Sequence, residues 1–296
     1  MNPASLCVAH LARAANGVAP LRAFLESYRR YPAGIEHELL ILFKGFAQPL
    51  AAEYEALLKD VNCTRRFIAD RGFDIDAYFE TARAHQAKYY CFMNSFSVIL
   101  ADGWLEKMHR VLTENDAGMV GATGSWQSFL YASFLDEVPL PPSWLASYPG
   151  WKRMLLRSFP FLRPPWRSLR RWMLRGRFEP FPNYHLRTNA FLIGRELALR
   201  IQFNSMRKKF DAYEFESGSR GLTRQVLKLD KRVFVVGRDG KAYDMEHWHQ
   251  SNTFWRRNQE NLLVADNQTR MYDRSDAASR TVYSAYAWGP EADPRP

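Results

Sequence analysis

Side chains with the capacity for chemistry are gathered in a few short stretches of the chain. FDAYEFESGSRGLTRQV (210–226) sets Asp211, Glu214 and Glu216 just before a glycine-rich turn and a basic run. Acids there suit the start of a helix, whose exposed N–H groups favour negative charge. Arg187, Thr188 and Asn189 combine a guanidinium fork with neutral polar groups. Such a set fits phosphate or sugar hydroxyls, or a buried polar network tying a strand to its sheet. KYYCFMNSFSVIL (88–100) reads as an aromatic strand stopping at the polar tetrad Asn94, Ser95, Phe96, Ser97. In AYDMEHWHQSNT (242–253), His247 and His249 stand two apart beside Asp244 and Glu246. If the segment is a strand, both imidazoles lie on one side of it, a spacing compatible with a metal, an acceptor contact or a structural role.

These groups need a scaffold, and the hydrophobic pattern supplies one. SLCVAHL (5–11), HELLILFKGF (37–46), Thr64 to Ala69, the 88–100 segment and AGMVGATGSW (117–126) read as buried strands. Helical spacing separates them. Leu21, Phe24, Leu25 and Tyr28 fall on one face of a helix from Pro20 to Tyr31, and a helix over 51–59 follows the second strand. Asp74 is placed to cap a helix running to about His85, and Asp102 to cap one over 103–115. Further on, HLRTNAFLIG (185–194) reads as a strand, 195–201 and 216–227 as helices, and RVFVVG (232–237) as a strand closed by Asp239-Gly240. Alternation of this kind predicts an α/β fold: a predominantly parallel, doubly wound sheet with helices on both faces. Ligands of such sheets bind beyond the carboxyl ends of the strands.

Composition narrows the classes. The 296 residues are 47% hydrophobic and 15% aromatic, enough for a sizeable core. No long apolar run or signal-peptide pattern occurs, so a cytoplasmic protein is expected. Three cysteines, Cys7, Cys63 and Cys91, lack C-x-x-C spacing and are expected to be small apolar residues on or near strands. The net charge of +10 is concentrated in 151–178, which holds nine Lys or Arg and no acid, interleaved with Trp, Phe, Leu and Met. This basic helical insertion is a candidate for an anionic membrane surface, for its own core, or for nucleic acid, the last ranked low because no recognised nucleic-acid motif accompanies it. The first strand is followed by His-Leu-Ala-Arg-Ala-Ala-Asn-Gly and not by G-x-G-x-x-G, which removes nicotinamide and methyl-transfer enzymes.

The order strand, amphipathic helix, strand, Asp-bearing loop, then an aromatic strand ending in a polar tetrad resembles the GT-A nucleotide-sugar fold over about 5–125. FPNYHLRTNAFLIG (181–194) resembles a block of transferases that assemble bacterial surface polysaccharides, rhamnan-type synthesis proteins among them. The resemblance is to the family 2 glycosyltransferases. It implies one domain over 1–288, with a nucleotide-sugar half (5–126), the basic and aromatic insertion (127–180), an acceptor and catalytic half (181–288) and a disordered tail (289–296). It implies that His10, Leu11 and Asp74 contact the nucleoside, that Asn94, Ser95 and Ser97 occupy the place of the family's Asp-x-Asp cation motif, and that Arg187, Thr188 and Asn189 face the donor. Because that motif carries no carboxylate here, Mg²⁺ or Mn²⁺ is either held by other groups, with His247 and His249 as candidates, or replaced by Arg and Lys. The family's general base maps to Glu216 first and Glu214 second. The implied reaction is inverting transfer of a sugar from a nucleotide diphosphate sugar to a glycan or lipid-linked acceptor at the inner face of the membrane. The implied alternative is an inactive sugar-binding or scaffold subunit.

Overall fold

The computed structural model describes residues 5–130, 150 and 173–289. Its frame is an eight-stranded sheet whose strands, in spatial order, are Ala242–Tyr243, Arg232–Val236, Ala117–Gly121, Ala190–Gly194, Tyr89–Met93, Leu6–Arg13, Glu38–Lys44 and Thr64–Ile68. The first half of the chain lays down β1 (Leu6–Arg13), β2 (Glu38–Lys44), β3 (Thr64–Ile68) and β4 (Tyr89–Met93), with β2 and β4 parallel to β1 on either side and β3 parallel to β2. Between them run α1 (Val18–Arg30), α2 (Ala52–Leu58) and α3 (Asp74–Ala84). The short β5 (Val98–Ile99) leads to α4 (Trp104–Glu114), β6 (Ala117–Gly121) and β7 (Gly124–Ser125).

The strands read as near-continuous apolar runs because both faces of the sheet are covered. Cys7, Ala9 and Leu11 of β1 join Leu40 and Leu42 on one face, whereas Leu6, Val8 and Ala12 join Leu39, Ile41 and Phe43 on the other, under α1 and α4. Doubly wound covering, expected from the sequence, is therefore present.

The second half departs from the pattern. The 185–194 segment is not one strand: β8 (His185–Leu186) pairs with β7, and β9 (Ala190–Gly194) enters the main sheet antiparallel, between β4 and β6. Reversal has a positional consequence. The residues preceding β9, Arg187 to Asn189, arrive at the carboxyl ends of β4 and β6, since Ala190 pairs with Met93.

After α5 (Arg195–Arg200), the expected 216–227 helix is divided into α6 (Lys209–Ser217) and α7 (Leu222–Lys228). Glu216 thus lies in the last turn of a helix, not at its start. Only glycine fits the backbone of this break: a Cβ on Gly218 would fall 2.3 Å from the Glu214 carbonyl, and one on Gly221 2.6 Å from that of Phe215. The strand β10 (Arg232–Val236) turns through Gly240 (φ +70°) into β11 (Ala242–Tyr243). His247 and His249 are in and beside a 3-10 turn (Trp248–Ser251), so the expected strand face for the pair does not exist. β12 (Val264–Ala265), α8 (Asn267–Asp273) and α9 (Ala277–Trp288) complete the described chain, and α9 buries Tyr283, Ala287 and Trp288 in the core.

The basic segment lies outside the described residues up to position 172, and so does the tail from 290. Among the described residues no helix is long and apolar enough to cross a membrane.

Candidate functional site

The carboxyl ends of β1, β2 and β4 converge with the segment before β9 and the end of α6. At the β1 and β2 ends the groups are charged. Arg13 pairs with Asp70 (3.2 Å), and Lys44, almost wholly buried, donates to the Gly72 carbonyl at 2.8 Å. Burial lowers the Lys44 pKa, and the surrounding Asp74, Asp70 and Asp76 oppose that fall. Asp74 shows the converse: burial raises its pKa, while Lys44 and Arg13 hold it down.

The expected cap at Asp74 is corrected by the geometry. Asp76 performs the capping, its Oδ2 accepting the Phe73 N–H at 2.7 Å and its Oδ1 the Met206 N–H at 3.1 Å. Asp74, two positions nearer the helix start, is left to face the cations. Asp102 likewise supplies no side-chain cap; its carbonyl accepts from Lys107.

Glu216 approaches from the opposite half of the chain. Its Oε2 accepts the Thr188 N–H at 3.1 Å and the Thr188 hydroxyl, so the carboxylate is aimed at the segment before β9. Tyr78 of α3 lies within the fields of both acids. Its ring stacks on Phe92 (centroids 4.8 Å apart), and its hydroxyl is buried without a hydrogen-bond partner. Burial first, then the charges of Asp74, Cys91 and Glu216, raise its pKa well above the usual phenol range. A buried hydroxyl without a partner in the protein carries a cost in stability.

His185 adds a neutral imidazole. Its Nδ1 lies 2.8 Å from the Asn183 carbonyl, which requires the proton on Nδ1 and leaves Nε2 as an acceptor. Burial lowers its pKa, with Glu216 opposing and Arg187 and Arg224 assisting.

The tetrad after β4 is folded on itself. Asn94 Oδ1 accepts the Phe96 N–H at 3.0 Å, and the Ser97 hydroxyl lies 3.1 Å from that oxygen and 3.0 Å from the Asn189 carbonyl. Ser95 is buried beside them. Arg270 of α8 reaches the same loop, donating from Nη1 to the Phe96 carbonyl at 3.0 Å, and burial lowers its pKa. Asp266, near Arg270, is fully engaged. Its Oδ2 takes the Arg187 guanidinium at 2.7 Å, and its Oδ1 caps α8 through the Gln268 and Thr269 N–H groups. Arg187 also lies over the Phe254 ring, 4.1 Å from its centroid. It therefore builds the site wall, as does Asn189, whose Oδ1 accepts from Thr123 at 2.7 Å.

The remaining expected residues lie elsewhere. His10 sits inside β1, which runs on to Arg13; its ring is closed off from solvent and stacked on Phe24 at 3.7 Å, and burial lowers its pKa to about 3. Leu11 is buried in the sheet core. Glu214 is held by Arg177 on the outer side of α6 (Nε to Oε1, 2.8 Å). His247 pairs with Asp244 at 2.6 Å on the surface, whereas the His249 ring packs on Trp126, 4.8 Å between centroids. Neither histidine belongs to a group of three close metal donors among the described residues. Arg270, Tyr78, His185 and Lys44 were not legible as site residues from sequence spacing. Only Lys44, the last residue of β2, carried a signal, its place at a strand's carboxyl end.

No protein-family model matches this chain, and no curated protein matches it. Among solved structures it is similar to a mannosyltransferase from Pyrobaculum calidifontis, in complex with GDP-Man and Mn²⁺, at 9% identity over 85% of this chain and 61% of that one, TM-score 0.46. A second is glucosyl-3-phosphoglycerate synthase from Mycobacterium tuberculosis, in complex with Mn²⁺, UDP and glucosyl-3-phosphoglycerate, at 14% identity over 65% and 57%, TM-score 0.35. A third is S. aureus TarS 1–349, at 11% identity over 40% of this chain and 34% of that one, TM-score 0.32. The chain thus spans about a third of TarS 1–349 and less than two thirds of the other two.

Proposed function

We infer that the chain is a glycosyltransferase of GT-A type that moves a sugar from a nucleotide diphosphate sugar to a glycan or lipid-linked hydroxyl in surface-polysaccharide assembly. The observation that carries this reading is that the Thr188 bonds hold Glu216 at the carboxyl ends of β4 and β6, on the same end of the sheet where Lys44, Arg13 and Asp70 gather beyond β1 and β2. Asp74 and Lys44 lie on the side of β1 and β2 assigned to the nucleoside, and Glu216 on the side assigned to the acceptor.

In the proposed step the acceptor oxygen forms a bond to the anomeric carbon as the bond to the departing diphosphate breaks, its electron pair leaving with the nucleotide. Glu216 takes the acceptor proton, and its two bonds from Thr188 fix the carboxylate's direction. Inversion follows if the acceptor attacks from the face opposite the diphosphate.

At the place of the family's cation motif no uncommitted carboxylate is offered to a divalent cation. Asn94 Oδ1 is committed to its own turn, and Asp266 to Arg187 and a helix cap. Arg270, already donating at that loop, supplies the positive charge instead. The self-satisfied Asn94 turn also favours a second reading, a sugar-binding subunit without transfer. Product formation separates the two: Glu216→Gln should leave KM unchanged and lower kcat by roughly 10²- to 10⁴-fold. A wild-type chain that binds donor yet forms no product with any glycan or lipid-linked acceptor supports the second reading. A Glu216→Gln variant with undiminished kcat removes Glu216 from the mechanism.

A further inference from the structure

At the other edge of the sheet, Cys7 of β1, Glu38 of β2 and His85 at the end of α3 bring a sulfur, a carboxylate oxygen and an imidazole nitrogen within 4.8 Å of one another. Cys7 and Glu38 are register partners on adjacent strands. His85 is aimed by its surroundings. The Tyr90 hydroxyl lies 2.7 Å from the His85 carbonyl, which can only accept, so the single phenolic proton points there. The Tyr90 oxygen then accepts from the Ala87 N–H at 3.1 Å and from His85 Nδ1 at 3.1 Å. Nδ1 therefore carries a hydrogen, which leaves Nε2 to hold either a second proton or a metal ion. Nε2 faces the Glu38 carboxylate, 3.1 Å from Oε2 and 3.3 Å from Oε1.

Two acceptors in contact require a cation between them. A second proton on His85 would serve, and so would a metal ion. The Cys7 sulfur, buried on the same side, is surplus to an imidazolium–carboxylate pair but is the soft third donor that a metal would use. We propose that Cys7, Glu38 and His85 form a Zn²⁺ site that ties β1, β2 and the end of α3 together. Thiolate and carboxylate cancel the charge of a divalent ion, which suits a half-buried position. Of the three, Glu38 also lines an open cleft of about 880 Å³ together with Ser5 and Asn62. Tyr90 fixes the ring as an outer partner, and Arg195 holds the His85 carbonyl from the other side at 3.2 Å. The site does not depend on the glycosyl-transfer reading.

Cobalt reports it directly. The EDTA-treated full chain should take up one equivalent of Co²⁺ with a thiolate-to-cobalt charge-transfer band in the near ultraviolet, displaced by one equivalent of Zn²⁺. Cys7→Ser should abolish the band. His85→Gln and Glu38→Gln, at partly exposed positions, should weaken uptake, and Tyr90→Phe, which keeps all three ligands, should weaken it by roughly 10- to 100-fold. Melting curves in EDTA show whether each variant is folded, with Cys7→Ala as the replacement if Cys7→Ser is not. No saturable uptake, or a band unchanged in the folded cysteine and His85→Gln variants, overturns the site and leaves an ion pair.

Discussion

Asp74 and Lys44 are held where burial disfavours both of their charges, and each is the other's main compensation. A carboxyl with a raised pKa binds its proton more tightly in the folded chain than in the unfolded one. Stability from this group is therefore greatest below the usual carboxylate range and falls as pH rises from about 4. Asp74→Asn should raise the melting temperature at pH 7, the difference from wild type growing between about pH 4 and neutrality, and should at the same time lose nucleotide-sugar affinity. Gain in stability with loss of binding is the mark of a functional charge, whereas a structural one would lose stability. Arg270→Ala should weaken donor binding by roughly tenfold to a hundredfold, the contribution of one charge-assisted hydrogen bond, with no rescue by Mn²⁺. Titration calorimetry in EDTA and in Mn²⁺ measures both terms.

The break between β8 and β9 and the split between α6 and α7 decide which side chains meet. Arg187 crosses that break to Asp266, which also starts α8, so one buried ion pair joins two elements that sequence distance keeps apart. Asp266→Ala leaves a buried guanidinium without its counter-charge and α8 without its cap. It should cost about 3–5 kcal/mol in urea denaturation, with Asp266→Asn costing less because the cap survives. The helices α1 and α4 were readable, since Leu21, Phe24 and Leu25, like Trp104, Met108, Val111 and Leu112, repeat at helical spacing and lie buried as that spacing requires. The division after Ser217 was not. Acids before glycines read as a helix start on dipole grounds, whereas here the glycines close the end of α6, with the Gly218 N–H donating to the Glu214 carbonyl at 2.8 Å. The antiparallel entry of β9 was equally hidden, because AFLIG is apolar in either direction and only its neighbours β4 and β6 fix its sense.

Across the described residues, the two faces of one sheet hold the core, and its two ends carry the groups proposed for chemistry: Asp74, Lys44 and Glu216 at the carboxyl end, and Cys7, Glu38 and His85 at the amino end. The parallel first half, which places Asp74 and Lys44, was legible from alternating strands and helices. Tyr78 and Arg270 were not, because their side chains gain meaning only from what the fold sets opposite them. The central claim is that the carboxyl edge binds a nucleotide diphosphate sugar through Asp74 and without a divalent cation. Calorimetric titration of the wild-type, Asp74→Asn and Glu216→Gln chains with UDP-, GDP- and dTDP-sugars in EDTA tests it most directly. At least one donor should bind the wild type and Glu216→Gln alike and bind Asp74→Asn far more weakly; no binding by any donor, or binding indifferent to Asp74, would contradict it.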